Sequence, residues 1–286
     1  TAELVVISGD EMQRPSDFTY EPSVGRARLR YRMPAKAKLT RIGPQGAFIL
    51  QVGYDNRVRI FKSHSGESVG NPIKLDSNPS EICFDRSGHR AGVMTLGRMG
   101  GVSPKAWLIE LGSGLQIGDA HGMADAGTEQ SRCGFSHDGA SWTFWGDRKT
   151  LIADTEKNAI KGHPVETASK IIAVSLENGG NGVLMLTRQK LTRWLWDKDE
   201  WGVKESSVDT EVDWRVCKTC SLDGSFSSNG RWLFLSSQMP GASWGTVIDA
   251  EAPRRMPSWR RADQPSLKQW WLKDDTMLFS IEKGGI

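Results

Sequence analysis

The chain has 286 residues, of which 38% are hydrophobic, and a formal net charge of +3 at pH 7. A balance this close to neutral does not by itself indicate a nucleic-acid-binding protein, because the distribution of charge matters more than its total. No run of about 18 apolar residues is present, so the sequence predicts no membrane-spanning helix and no membrane partner. Four cysteines are few for this length and favour a reducing compartment, so we expect a cytoplasmic location.

A repeat with a period of roughly 48 residues runs along the whole chain. In each copy an apolar anchor residue stands four places before a turn residue, and an apolar strand follows the turn. The anchor and turn pairs are Ile42 and Gly46, Phe84 and Gly88, Phe135 and Gly139, Leu176 and Gly180, Phe226 and Gly230, and Trp271 and Asp275. Four short strands per copy, arranged in a circle, make a β-propeller, so the sequence predicts an all-β fold.

The repeats predict a single domain. Its units span residues 37–77, 78–128, 129–168, 169–216 and 217–266, with a sixth split between 267–286 and 1–34. The spacing favours six four-stranded blades, with seven as the alternative. Residues 267–286 supply only two strands, so we predict that strands in residues 1–34 pair with this last blade and close the ring. Closure removes the two exposed edges that an open array would leave.

One third strand ends in the pair Trp196-Asp197, and Val58–Phe61 and Leu151–Asp154 look like weaker copies of it. Residues 65–73 resemble the link to the fourth strand in bacterial WD repeats. The chain therefore resembles a degenerate, bacterial-type WD-repeat β-propeller over nearly its whole length. The resemblance implies a non-catalytic scaffold, often a domain of a larger bacterial signalling or defence-type protein.

Two basic surfaces are the candidate partner-binding sites, and the first is a basic rim. Loops between second and third strands carry cations with aromatic side chains among them, which suits recognition of phosphates or carboxylates and stacking on bases. The basic rim consists of Tyr54, Arg57, Arg98, Lys105, Trp145, Arg148, Arg188, Lys190 and Trp244. Polar loops of this kind are also often basic and merely solvated, and that alternative stays open.

The second surface, the lateral patch, is one face of a predicted strand at residues 26–33. Basic residues alternate there with apolar ones, which gives one wet face and one packed face. The lateral patch consists of Arg26, Arg28, Arg30 and Arg32. It could dock an acidic surface, or its charge could simply protect an outer strand from edge pairing.

The sequence shows no constellation for catalysis or metal binding. Cys217 and Cys220 form an isolated CxxC, which we interpret as two buried small residues, and the five histidines lack metal spacing. The predicted first strands, which face the channel, offer mainly small and apolar residues, with Asp85 and Asp223 as the notable acids near them. We therefore expect no catalytic residue, no metal and no cofactor.

The sequence thus predicts a non-catalytic protein-interaction or sensor scaffold, and it predicts that the chain is not an enzyme. Its expected partner is a protein or another domain of the parent chain. A nucleic-acid-binding propeller is the first alternative, and it rests on the two basic surfaces. A propeller hydrolase or lactonase is the second, and it would need several carboxylates, or histidine with carboxylates, in the central channel.

Overall fold

The structure is a computed structural model. It describes residues 37–97, 103–123, 131–187, 190–197, 200–203, 208–209, 221–227, 230–239, 242–249, 259–262, 266–271 and 277–282. Beyond Leu235 it describes only the backbone of the strands. Within these ranges there is no helix with the length and apolar character needed to cross a membrane.

Antiparallel sheets of consecutive strands account for most of the described residues. The first sheet contains β1 (Ala37–Ile42), β2 (Phe48–Gly53), β3 (Arg57–Lys62) and β4 (Ser68–Lys74). The second contains β5 (Pro79–Phe84), β6 (Arg90–Thr95), β7 (Lys105–Glu110), β8 (Leu115–Gln116) and β9 (His121–Gly122). The third contains β10 (Arg132–Phe135), β11 (Ser141–Trp145), β12 (Lys149–Asp154) and β13 (Val165–Glu166).

Three further sheets follow along the chain. The fourth contains β14 (Ile171–Leu176), β15 (Gly182–Thr187), β16 (Lys190–Asp197), β17 (Glu200–Val203) and β18 (Val208–Asp209). The fifth contains β19 (Ser221–Phe226), β20 (Trp232–Met239), β21 (Ala242–Asp249) and β22 (Trp259–Ala262). The last described pair is β23 (Ser266–Trp271) and β24 (Met277–Glu282), and short 3₁₀ turns span Pro44–Gly46 and Asn178–Gly180.

Strand order within each sheet follows the chain. Each strand pairs with the next, while β8 and β9 both pair with β7, and β17 and β18 both pair with β16. The first strands of consecutive sheets also contact one another, from β1 to β5, β10, β14 and β19. The first strands therefore line the centre of the molecule, and the later strands of each sheet lie progressively further out.

The predicted tight turns are present between first and second strands. Every described anchor residue is the last residue of its first strand. Gly88 and Gly139 have φ of +70° and +71°, a conformation that glycine adopts without steric cost. The N–H of Gly139 donates to the carbonyl oxygen of Ser136 at 2.9 Å, which closes the turn. The sequence pattern is thus confirmed for the five pairs from Ile42 and Gly46 to Phe226 and Gly230, while Asp275 lies outside the described residues.

Apolar side chains fill the spaces between consecutive sheets. Leu50 and Ile60 of the first sheet pack with Val93 and Ile109 of the second, and none of the four is more than 2% exposed. Similar clusters join the second sheet to the third, the third to the fourth and the fourth to the fifth. Burial of apolar surface on both faces of the middle strands is the main force that holds neighbouring sheets together.

Radially arranged four-stranded sheets with adjacent first strands define a β-propeller. The prediction of an all-β propeller is therefore confirmed. The number of blades stays a prediction, because ring closure by residues 1–34 lies outside the described residues.

A disulfide bond joins Cys83 of β5 to Cys133 of β10, so it links the first strands of the second and third sheets. The two Cα atoms are 5.8 Å apart, and both sulfur atoms lie 3.7 Å from the carbonyl oxygen of Gly92. The bond contradicts the expectation that the cysteines are reduced. A low cysteine count was a poor guide, because it does not show which strands become neighbours. Cys217 and Cys220 lie outside the described residues.

Candidate functional site

Three charged residues occupy the same register position in three different first strands. Glu81, Arg132 and Asp223 each stand three residues before the anchor that ends the strand. Equivalent residues of successive propeller blades lie at similar heights around the central channel. The repeat itself therefore brings an acid, a base and a second acid together at the channel.

A cavity of about 540 Å³ lies where these three residues meet. First strands of the second, third and fifth sheets contribute most of its wall. The lining residues are Pro79, Ser80, Glu81, Leu96, Ser131, Arg132, Asp223, Gly224 and Ser225. Such a volume falls within the usual range of small-molecule sites.

The local backbone at Glu81 departs from regular strand geometry. The pairing of β5 with β6 shifts register between Pro79 and Glu81, which marks a bulge at the start of the strand. Pro79 has no N–H to donate to a sheet ladder, so the beginning of a strand suits it. Bulges re-aim the side chains next to them, and this one immediately precedes the acid that lines the cavity.

An ion pair joins the first strand of the third sheet to that of the fifth. Nη1 of Arg132 lies 2.8 Å from Oδ1 of Asp223, although β14 separates their strands in the order of the sheets. The backbone N–H of Gly224 donates to the same carboxylate oxygen at 3.0 Å. A guanidinium carries five N–H groups, so Arg132 keeps donors beyond the one that this bond uses. Asp223 thus orients Arg132 and leaves other N–H groups of its guanidinium able to bind a ligand.

The carboxyl group of Glu81 is partly buried beside the cavity, and this burial raises its pKa to about 7. The positive charges of Arg132 and Arg41 act in the opposite direction, and the negative charge of Asp223 adds to the rise. We call Arg41, Glu81, Arg132 and Asp223 the channel cluster. A carboxyl group that is half-protonated near neutral pH can both donate and accept a proton, as a general acid or base must.

Serine hydroxyls border the channel cluster. Oγ of Ser80 donates to the carbonyl oxygen of Ser131 at 3.0 Å. Ser131 is only 2% exposed, and its own Oγ has no hydrogen-bond partner among the described residues. A buried hydroxyl without a partner is costly, so a native structure that retains one calls for an explanation. Ser131 also lines the cavity, so this hydroxyl lies beside the channel cluster.

Part of the basic rim is exposed. Tyr54 is 66% exposed, and Nζ of Lys38 lies 5.7 Å from the centre of its ring. Arg57 begins β3, Arg148 lies in the loop before β12, and Lys190 begins β16, all three being exposed. Lys105 begins β7 and pairs with Asp76, so part of the rim charge is compensated.

Other rim residues differ from the expectation. Trp145 is only 6% exposed and packs in the core between the third and fourth sheets with Ile152 and Val165, so it is not a surface aromatic. Its position at the end of an apolar strand favours burial over a place in the loop. Trp244 lies inside β21, with its backbone opposite Ser237, and not in the preceding loop.

The remaining predicted partner-binding residues cannot be placed. Outside the described residues lie Arg26, Arg28, Arg30, Arg32, Arg98 and Arg188. The lateral patch and the basic rim as binding surfaces therefore stay predictions.

Asp223 was predicted from the sequence as an acid near the channel, whereas Glu81 and Arg132 were not predicted. The signal that could have found them is their shared register three places before the anchor. Asp85, the other acid considered near the channel, is 2% exposed and accepts hydrogen bonds from the Ser87 hydroxyl and the Arg90 backbone N–H. It therefore holds the turn after β5 and does not belong to the channel cluster.

No protein-family model matches the chain, and no curated protein sequence matches it significantly. Solved structures resemble it in fold. A hydrazine synthase from Kuenenia stuttgartiensis shares 12% identity at a TM-score of 0.49, over 76% of this chain and 65% of its own. The dihydro-heme d1 dehydrogenase NirN, in complex with DHE, shares 12% identity at a TM-score of 0.51, over 81% of this chain and 48% of its own.

The chain thus spans less than two thirds of each of these structures, and the likeness to NirN establishes the propeller fold alone. NirN is an enzyme by name, and this finding contradicts the prediction of a non-catalytic scaffold that is not an enzyme. That prediction came from the usual role of WD-repeat propellers, and fold resemblance does not determine function. A function for this chain has to be inferred from the residues of the site.

Proposed function

We propose that the chain is the propeller part of an enzyme that binds a small polar substrate at the channel cluster, where Glu81 exchanges a proton with it. The observation that carries the proposal is the meeting of Glu81, Arg132 and Asp223 from three separate sheets at one cavity of about 540 Å³. A carboxyl group that lines a cavity and has its pKa shifted by burial and by specific charges is a functional-site candidate.

Each residue has a distinct role in this proposal. Glu81 in its acid form donates its proton to a substrate atom that gains negative charge, and the resulting carboxylate recovers a proton from water. Arg132 stabilises the charge that develops on the substrate, because its guanidinium lies beside the same cavity. Asp223 acts as a positioning residue, since its carboxylate holds Arg132 at 2.8 Å.

NirN is a dihydro-heme d1 dehydrogenase by name, which raises the question of a haem group, and the channel cluster does not fit one. Haem iron in proteins is held by histidine, cysteine, methionine or tyrosine side chains. The residues that line the cavity include none of these four types. No step of the proposed mechanism therefore involves a haem.

A turnover assay tests the proposal. The full chain is incubated with pools of small polar metabolites, and consumption of each compound is followed by NMR. We expect wild type to consume at least one compound, with a rate that changes near the pKa of Glu81, and Glu81→Gln to lose at least about 100-fold of that rate. The exposed Glu156→Gln is the matched control and should retain it. Equal action of wild type and Glu81→Gln on every compound would refute the proposal.

Two finer expectations remain proposals of the same kind. The WD-repeat type of the propeller is supported by the pair Trp196-Asp197 at the end of β16. The cytoplasmic location has less support, because a disulfide such as Cys83–Cys133 persists best in an oxidising compartment.

A further inference from the structure

We propose that the channel cluster binds a small molecule with a carboxylate group, and that Glu81 takes up a proton when this anion binds. The inference rests on the proposed function, since it names the substrate class of the same site. It is carried by three features: the charges around the cavity, a buried hydroxyl without a partner, and the size of the cavity.

The charges around Glu81 favour an anion. Among the described residues, Arg41 on β1 and Arg132 on β10 bring two guanidinium groups, and Asp223 on β19 brings one carboxylate. With Glu81 protonated, two positive charges therefore face one negative charge. The planar fork of a guanidinium matches the two oxygens of a carboxylate, so arginine is the residue best suited to bind that group.

Ser131 adds a polar group without a partner beside the same cavity. This residue lines the cavity, is 2% exposed, and its Oγ has no hydrogen-bond partner among the described residues. The cavity of about 540 Å³ has room for a small organic acid but not for a macromolecular surface. Of the two arginines, Arg132 lines this cavity, and it is the one placed to take the carboxylate group.

Binding of an anion must be coupled to the protonation of Glu81. A negative charge brought close to a carboxyl group favours its neutral form, so the bound ligand raises the pKa of Glu81 further. Linkage is reciprocal, and protonation of Glu81 therefore strengthens the binding of the anion. At about pH 7.5 complete protonation of Glu81 would take up about 0.8 of a proton per bound ligand.

Isothermal titration calorimetry tests the inference. The probes are lactate and succinate, with lactamide and succinamide as neutral controls of matched shape. Titrations in Tris and in bis-Tris at about pH 7.5 give the number of protons taken up, because these buffers differ in ionisation enthalpy. We expect at least one carboxylate to bind with net proton uptake, and the corresponding amide to bind at least about tenfold more weakly.

Two variants separate the contribution of Glu81 to proton uptake from that of Arg41 to the affinity for the anion. Glu81→Gln should bind the carboxylate without proton uptake, because the carboxyl group that takes up the proton is gone. Arg41→Gln should weaken binding about threefold to tenfold while the chain stays folded. Arg41 is exposed, and its guanidinium donates to the carbonyl oxygen of its neighbour Thr40 at 3.2 Å. The fold therefore does not depend on it.

Several results would overturn the inference. They are no carboxylate binding by wild type, equal binding of acid and amide, or unchanged proton uptake in Glu81→Gln. Glu81-dependent turnover of a neutral compound without carboxylate binding would overturn this inference and leave the proposed function standing. Proton-linked carboxylate binding together with a turnover rate that is the same in wild type and Glu81→Gln would leave this inference standing and overturn the proposed function.

Discussion

Replacing Glu81 by glutamine should stabilise the protein at alkaline pH and leave it unchanged at acidic pH. The carboxyl of Glu81 has a pKa of about 7 in the folded chain, against an ordinary value of 4.5. Well below pH 4.5 the group is neutral in both the folded and the unfolded state, so it adds no penalty. As the pH rises from about 4.5 to about 7, the unfolded state loses this proton while the folded state keeps it, so stability is lost across that window and stays at the lower level above about 7.

The gap between the two pKa values sets the size of the effect. At about 1.4 kcal/mol per pKa unit, it corresponds to about 3 kcal/mol of unfolding free energy at pH 8. Urea denaturation of wild type and Glu81→Gln, followed by tryptophan fluorescence at about pH 4.5 and about pH 8, measures it. The difference between the two pH values is the quantity of interest, because it cancels any effect of the amide that does not depend on pH.

Glu156→Gln serves as the matched control, since Glu156 is exposed on the turn after β12. We expect this variant to differ from wild type by less than about 0.5 kcal/mol at both pH values. An advantage of Glu81→Gln that is the same at both pH values, or that is absent at about pH 8, would refute the reasoning about the buried carboxyl.

Two further predictions concern the scaffold. Replacing both Cys83 and Cys133 by serine should lower the unfolding free energy by about 2–4 kcal/mol, because the bond joins residues 50 apart in the sequence. Denaturation of wild type and variant, with and without a reductant, measures this. The same unfolding free energy in all four cases would contradict the bond. Gly180→Ala should lower the unfolding free energy by about 1–3 kcal/mol more than Gly179→Ala does. Both have positive φ, +64° and +71°, but only at Gly180 would a Cβ lie 2.2 Å from Oγ of Ser141, so equal losses in urea denaturation would speak against this packing.

Much of the fold follows from local sequence patterns. An apolar residue four places before a glycine marks the end of a first strand and the turn after it, as at Phe135 and Gly139. Such signals are readable because the turn requires a positive φ and the strand requires an apolar face. The type of propeller is harder to predict from the sequence. Degenerate repeats keep the pattern of strands and turns but lose the residues by which a family is recognised.

The candidate site was harder to predict, because it depends on contacts between distant repeats. Glu81 and Arg132 are 51 residues apart in numbering, and neither stands in a recognisable motif. Their common register shows its meaning only when the first strands are placed side by side around a channel. Burial of Trp145 was missed for a related reason, since a position at the end of a strand can lie in the core between two sheets.

The disulfide shows the same limit. Cys83 lies one residue before its anchor and Cys133 two residues before, so their registers differ by one place. Their separation of 50 residues gives no sign that the two Cα atoms lie 5.8 Å apart. Only the packing of β5 against β10 brings them together.

Direct titration of Glu81 tests the central claim, that the channel cluster holds a carboxyl group poised to exchange a proton. Wild type and Glu81→Gln, both labelled with ¹³C at the glutamate side-chain carboxyl, would be titrated by NMR between about pH 3 and pH 9. The signal that only the wild type shows belongs to Glu81. The account predicts a midpoint of about 7 for this signal. A midpoint near the ordinary value of 4.5 would contradict it, since such a group would be a permanent carboxylate at neutral pH.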